Sequence, residues 1–266
     1  MIKNQLQFKI KNTLDEIAKK TSLIWGGIVG SFIQKEIIPK DIDILLIYEV
    51  LTKREYEFTI NHFKKLAKEI SNGKRFIIEE RNGPFKPIKK KVTQFHLIIQ
   101  SRKFFKYTAQ TATLSYIEWT INNLPLYGSP ILSIFEDKRP ITKEILLNTK
   151  YGGIGSSIKS LKNKKIYYAV YRIKNNKIRL CIESKQPANK EIKNSLIGII
   201  KANLMNFVKW KTHNYSPSYN DIIKISKTEF PKYSKEIDRI YSKEKTTKRQ
   251  VEKILKFIKE KVESSI

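Results

Sequence analysis

The chain has 266 residues, which suits one large domain or two smaller ones with buried cores. Hydrophobic residues make up 40% of it, which excludes a wholly disordered protein, and its single cysteine excludes an intrachain disulfide bond. The formal net charge of +28 would attract phosphate polyanions, although lysine is spread along the whole chain. We expect a soluble cytoplasmic protein, because no apolar run approaches the ~20 residues that span a bilayer.

In the first half of the chain, helical and strand patterns alternate. Apolar spacing predicts helices over 3–20 and 52–71, and strands over 23–31, 41–48, 76–78 and 92–99. This order predicts a mixed α/β (α+β) domain whose sheet is flanked by helices. A further helix is predicted over 108–123, and the break at Gly128–Pro130 closes a first domain that we place at 1–130.

The second half, 131–266, is predicted to be a mostly helical domain. Its glycine-rich stretch 150–164 predicts a flexible linker. A β-hairpin is predicted over 166–182, although a helical first arm fits the pattern as well. The remaining helices are predicted over about 190–210, 218–228, 232–242 and 246–263.

Two aspartates, Asp41 and Asp43, lie two residues apart on the second predicted strand. Because side chains alternate along a strand, both carboxylates point to the same face. There they can share a divalent ion, and their hard oxygen ligands suit Mg²⁺, with Mn²⁺ as the alternative. Gly30 and Ser31 end the preceding strand in a tight turn whose N–H groups and hydroxyl can hold nucleotide phosphates. The simpler alternative is an ordinary strand–turn–strand with two solvent-facing aspartates.

The order of these residues resembles the signature of the DNA polymerase β-like nucleotidyltransferases. That signature is an apolar strand, Gly-Ser, about ten residues, and two aspartates separated by an apolar residue. Here Gly30–Ser31 is followed by nine residues and then by Asp41–Ile42–Asp43. The resemblance covers the first half of the chain. It implies a Mg²⁺-dependent enzyme that transfers a nucleoside monophosphate from a nucleoside triphosphate, with Asp41 and Asp43 as metal ligands and Gly30 and Ser31 at the nucleotide. The helical second half resembles the layout of aminoglycoside-type nucleotidyltransferases.

The family usually has a third carboxylate on a later strand, and the predicted strand 92–99 contains no Asp or Glu. Alternation places Gln94 and His96 on one face of this strand, so His96 lies at or beside the expected position of the acid. It could be a catalytic base or a metal ligand there, or a half-buried strand histidine. Glu79 and Glu80 on the preceding strand are alternative acids. The missing acid also favours a protein that keeps the fold without catalysis.

The basic residues Arg102, Lys103 and Lys106 follow that strand, interleaved with Phe104 and Phe105. Cations with aromatic side chains suit nucleic-acid binding, but the same pattern fits a strand end whose aromatics face the core. Together with the net charge, it favours RNA, such as a tRNA end, as the acceptor, and RNA over DNA. The alternatives are transfer to a protein or a small molecule, and a non-catalytic nucleic-acid-binding or antitoxin protein.

Overall fold

The structure is a computed structural model. It describes residues 3–34, 41–71, 75–81, 92–111, 113–130, 141–148, 153–163, 165–186, 189–214, 217–242 and 247–265. In chain order the elements are α1 (Lys3–Ala18), β1 (Leu23–Val29), α2 (Ser31–Gln34), β2 (Asp41–Tyr48), α3 (Lys53–Glu69), β3 (Arg75–Glu79), β4 (Val92–Ser101), α4 (Arg102–Thr111), α5 (Thr113–Ile121), β5 (Asn123–Tyr127), α6 (Lys143–Asn148), α7 (Ile154–Asn163), β6 (Ile166–Lys174), β7 (Lys177–Lys185), α8 (Asn189–Thr212), α9 (Tyr219–Glu229), α10 (Ser234–Tyr241) and α11 (Lys248–Ser264).

A five-stranded mixed sheet, in the order β3-β4-β2-β1-β5, organises the first half of the chain. Strand β1 is antiparallel to both β2 and β5, whereas β2, β4 and β3 run parallel. The helical regions and this sheet confirm the predicted fold class, a mixed α/β chain with a helical C-terminal part.

Alternation along the strands separates the core from the opposite face of the sheet. The core takes even-numbered residues of β2, odd-numbered residues of β4 and the apolar sides of α1 and α3. Its fully buried members include Leu6, Ile10, Ile42, Ile44, Phe63, Phe95 and Leu97. The odd-numbered residues at the start of β2 and the even-numbered residues of β4 therefore face away from this core. Asp41, Asp43, Gln94 and His96 belong to that second set.

The chain divides into two compact units, each discontinuous in sequence. Unit 1 comprises Met1–Tyr107, Trp119–Asp137 and Tyr168–Glu183, so it holds the five-stranded sheet and most of the β6–β7 hairpin. Unit 2 comprises Thr108–Glu118, Lys138–Tyr167 and Ser184–Ile266 and is largely helical. The predicted domain boundary near residue 130 stays a prediction, because compactness in space does not test whether either part folds alone.

Three local expectations differ from the structure. Residues 154–163 form helix α7 rather than a flexible linker, because Ile154, Ser157 and Leu161 recur at helical spacing and are buried. Helical structure begins at Arg102, six residues before the start of the helix expected over 108–123. The last residue expected for that helix, Asn123, is instead the first residue of strand β5. Pro125 is tolerated in β5 because, among the described strands, this edge strand is paired only with β1. Among the described helices, none is both long and apolar enough to cross a membrane.

Candidate active site

Strand register brings the predicted site residues into two adjacent rows across the sheet. In the first row, Asp43 of β2 is paired with His96 of β4, and His96 is paired with Glu79 of β3. In the second row, Asp41 is paired with Gln94. Directly opposed residues in a sheet point to the same face. The parallel pairing of β2 with β4 therefore gathers these side chains on one face, away from the hydrophobic core.

His96 is held between two hydrogen-bond acceptors. Its Nδ1 lies 2.7 Å from Asp43 Oδ1, and its Nε2 donates to the backbone carbonyl of Arg81 at 2.8 Å. Burial opposes the charged imidazole, but the hydrogen bond to Asp43, the charges of Asp43 and Asp41, and the Arg81 carbonyl together raise the pKa of His96. Two acceptors favour the doubly protonated ring, which has no nitrogen lone pair. This arrangement suits an orienting role for His96 better than that of a base or metal ligand.

Gln94 holds the other aspartate. Its Nε2 donates to Asp41 Oδ1 at 2.6 Å, and Gln94 itself is buried. The sequence placed Gln94 on the correct face, but its role as the partner of Asp41 depends on the register of β4 against β2. Each aspartate therefore has one carboxylate oxygen held by a side chain of β4, which fixes the orientation of both carboxylates.

The turn after β1 brings the backbone against Asp43. Gly30 has φ +74°, in the left-handed region, and a Cβ built on it would lie 2.7 Å from Asp43 Oδ2. Glycine is required on both counts, although the group that approaches it is the Asp43 carboxylate, whereas the sequence predicted an approach of nucleotide phosphates. The backbone N–H of Ile33 donates to Gly30 O at 3.2 Å, which closes the turn into the short helix α2. The side chain of Ser31 lies outside the described set, so its phosphate contact stays a prediction.

The donor set on this face has the composition of a divalent-metal site. Asp41, Asp43 and His96 each offer one ligand atom, and these atoms lie within 4.8 Å of one another. Because His96 is committed to Asp43 and Arg81, the chemistry of the set is that of two carboxylates, which suits a hard ion such as Mg²⁺ or Mn²⁺.

The two alternative acids, Glu79 at the end of β3 and Glu80 just after it, have different partners. Glu79 lies in the row of Asp43 and His96, is only 5% exposed, and is ion-paired with Arg81. The Glu80 carboxylate accepts a short hydrogen bond from the hydroxyl of Tyr56 on α3. Glu79 is thus the acid that shares the site's face. Neither its pairing with Arg81 nor the role of the Arg81 carbonyl was visible in the sequence.

The predicted nucleic-acid contacts lie elsewhere. Arg102, Lys103 and Lys106 are on α4, which begins where β4 ends, five residues beyond His96 or roughly 16 Å along a strand. Arg102 is paired with Glu49 at 3.0 Å. Phe105 is fully buried and Phe104 packs against Tyr171, an arrangement that fits the alternative in which these aromatics face inward. The structure does not bring these cations to the aspartates.

No protein-family model matches the sequence, and no curated protein matches it. Among solved structures, the fold is similar to that of spectinomycin adenyltransferase AAD(9) from Enterococcus faecialis, determined with ATP and spectinomycin. The TM-score is 0.50 at 14% sequence identity, and the similarity covers 98% of this chain and 99% of that one. At this identity the likeness shows the fold alone: along nearly its whole length, the chain shares the fold of that protein.

Proposed function

We propose that this protein is a metal-dependent nucleotidyltransferase that transfers a nucleoside monophosphate from a nucleoside triphosphate to an acceptor hydroxyl. The observation that carries the proposal is the convergence of Asp41, Asp43 and the Gly30 turn on one face of the sheet. Chance placement of two aspartates would not require a glycine whose missing Cβ makes room for one of their oxygens.

Asp41 and Asp43 would hold the divalent ion, Mg²⁺ or Mn²⁺. When bound, such an ion neutralises charge on the reacting phosphate and its leaving group. The protein's own contribution is orientation. Gln94 fixes Asp41 and His96 fixes Asp43 by the hydrogen bonds described above. The absence of a side chain at Gly30 lets the turn pass close to the Asp43 carboxylate, and Gly30 and Ser31 are proposed to contact the triphosphate there.

We favour a small molecule as the acceptor over the RNA that the net charge suggested. The similar solved protein binds ATP and spectinomycin, and the similarity spans both chains almost completely. The predicted RNA contacts Arg102, Lys103 and Lys106 lie at the other end of β4 from the aspartates. Those cations are thus not placed to present an RNA end to the Asp41–Asp43 pair.

A second candidate is a protein that binds ligands with this fold but does not catalyse transfer. The observation that favours it is the composition of β4, Val92–Ser101, which carries Gln94 and His96 but no carboxylate on the face of the aspartates. On the described part of this face the remaining acid, Glu79 of β3, is ion-paired with Arg81 and is therefore not free to accept the proton of the acceptor hydroxyl.

Pyrophosphate release tests both candidates, whichever acceptor the protein uses. Purified protein would be incubated with Mg²⁺ or Mn²⁺, each nucleoside triphosphate, and fractionated small-molecule extract or total RNA. We expect release with the small-molecule fraction and its loss in Asp41→Asn/Asp43→Asn. Asp15→Asn, which removes an exposed carboxylate of α1, is the control and should retain activity. Release with RNA alone would reverse our choice of acceptor, and nucleotide binding without release from any fraction would favour the second candidate.

A further inference from the structure

Glu79 is a buried carboxylate whose hydrogen bonds, among the described residues, all go to Arg81. It ends the edge strand β3 and is 5% exposed. Its Oε1 accepts from the backbone N–H of Arg81 at 3.0 Å and from Arg81 Nε at 2.6 Å, and its Oε2 accepts from an Arg81 terminal nitrogen at 2.5 Å. A buried carboxylate is costly unless it is paired and hydrogen-bonded, and here backbone and side chain of the same residue supply both.

The hydrogen bonds to Glu79 fix the position of Arg81, and with it the position of its backbone carbonyl. That carbonyl accepts the Nε2–H of His96 at 2.8 Å, and His96 Nδ1 lies 2.7 Å from Asp43 Oδ1. The guanidinium of Arg81 also lies over the ring of Tyr168 of β6, 5.7 Å from its centroid, which restrains it from a second side. A continuous series of contacts therefore runs across three strands, from β3 through β4 to β2.

We propose that Glu79 is a positioning residue for the metal-binding carboxylates. By holding Arg81 it holds the carbonyl that orients His96, and through His96 it fixes the orientation of Asp43. The inference rests on the proposed function in that Asp43 is taken to be a metal ligand, but the positioning of His96 can be tested without any metal. Removal of a residue that is hydrogen-bonded directly to a metal ligand commonly changes metal affinity by about 10–100-fold, and because Glu79 acts through Arg81 and His96 we expect the lower end of that range.

Glu80 provides a matched control. It is the next residue along the chain, and its carboxylate is bound by the Tyr56 hydroxyl rather than by Arg81. Glu80→Ala therefore removes a carboxylate from the same end of β3 without touching the contacts that lead to His96. A merely structural role for acids in this segment would make the two substitutions equivalent.

The first readout is the imidazole N–H signal of His96 in ¹⁵N-labelled protein. The chain has three histidines, so His96→Asn assigns the signal by its disappearance. In the wild type the Nε2–H is hydrogen-bonded and shielded, and we expect slow exchange with water. We expect Glu79→Ala to accelerate that exchange at least tenfold, Glu79→Gln to give a smaller change, and Glu80→Ala to give none. Arg81→Ala, which keeps the backbone carbonyl, should resemble Glu79→Ala.

The second readout is Mn²⁺ binding followed by electron paramagnetic resonance, with circular dichroism to confirm folding. We expect Glu79→Ala to weaken Mn²⁺ binding about tenfold and Glu80→Ala to leave it unchanged. If Glu79→Ala does not fold, the isosteric Glu79→Gln decides. Wild-type exchange of the His96 signal in folded Glu79 variants would overturn the proposal. Failure of the wild type to bind Mn²⁺ would instead refute the metal-dependent function, and the exchange measurement would still decide the role of Glu79.

Discussion

At the scale of single residues, the geometry of the site depends on the absence of a side chain at Gly30. Gly30 is the point where the turn meets Asp43, and its left-handed φ and the 2.7 Å distance to Asp43 Oδ2 both oppose any side chain. Gly30→Ala should therefore displace the Asp43 carboxylate and strain the turn by about 1–3 kcal/mol. We expect pyrophosphate release to fall at least tenfold, with Mn²⁺ binding weakened in parallel.

Gly198 in α8 provides the matched control for this substitution. A Cβ added there would meet nothing within 4 Å. Gly198→Ala should leave activity unchanged and raise stability by about 0.5–1 kcal/mol, since alanine is the better helix former. Urea unfolding and the activity assay on both variants check this pair. Wild-type activity in Gly30→Ala would mean that Asp43 does not need its observed orientation.

His96 lies where the signature that the sequence resembles would have a third carboxylate. A substitution at this position can restore the carboxylate. His96→Glu would place a third carboxylate in the row of Asp43 and Glu79. Without a divalent ion, repulsion between these acids should lower the thermal unfolding temperature below that of the neutral control His96→Gln. Mn²⁺ should then raise the unfolding temperature of His96→Glu more than that of the wild type, because a ligand that binds the folded state more tightly stabilises it more. Equal shifts in both proteins would show that no ion binds beside residue 96.

At the scale of elements, α3 is anchored at its first turn by Glu55. The Glu55 carboxylate accepts from the backbone N–H groups of Ser22 and Thr52 at 2.7 and 2.9 Å, and the Thr52 hydroxyl completes a capping box. Burial opposes ionisation of Glu55, but the hydrogen bonds from Ser22 and Thr52 outweigh it and lower its pKa. A carboxyl whose pKa is lower in the folded state stabilises the fold above its unfolded pKa, and this contribution is lost as the pH falls through the folded value.

We therefore expect Glu55→Ala to reduce the free energy of unfolding by about 1 kcal/mol near neutral pH. The difference from the wild type should shrink as the pH falls below about 4, where the wild-type carboxyl becomes protonated. Glu57→Ala is the control, because Glu57 is exposed and lies 3.9 Å from Lys53, too weak a pair to matter. Urea unfolding near neutral pH and below pH ~4 measures the effect. If Glu55→Ala lost the same free energy of unfolding at both pH values, the ionised carboxylate of Glu55 would not be its cause.

Elements with a strong local signal were predictable from the sequence. Helices α1 and α3 have a clear apolar side, and β2 was predicted with the same bounds as observed, Asp41–Tyr48. Helix α7 was missed because Gly152, Gly153 and Gly155 suggested a loop, whereas burial of its apolar side decides the outcome. Strand β5 was missed because its pairing with β1 is set by long-range contacts.

The candidate site was predictable only where its residues have a local sequence signal. Spacing alone placed Asp41 and Asp43 on one face, but it did not predict the contact between the Gly30 turn and Asp43. The partners of His96 were not predictable, because Arg81 contributes a backbone carbonyl that has no sequence signature. The choice between Glu79 and Glu80 required the register of β3 against β4, which only the folded sheet defines.

At the scale of the whole molecule, we expect a net charge of +28 to give the protein a general affinity for RNA. That affinity need not reflect the reaction. Ion pairing with phosphates weakens with salt because counterions are released, whereas two aspartates, a divalent ion and a triphosphate form a local site at close range. Salt dependence therefore separates a general attraction of the basic surface from use of RNA as the acceptor.

We expect RNA binding to weaken about a hundredfold between ~50 and ~200 mM salt, corresponding to about four phosphate contacts. Transfer to a small-molecule acceptor should change only a few-fold over the same range. Replacement of Arg102, Lys103 and Lys106 by glutamine should lower RNA affinity without reducing transfer, and Asp41→Asn/Asp43→Asn should do the reverse. Filter binding and pyrophosphate release on the same preparations measure both quantities. If transfer fell with salt in parallel with RNA binding, and the triple substitution reduced both, the basic surface would belong to the acceptor site and RNA would be the acceptor.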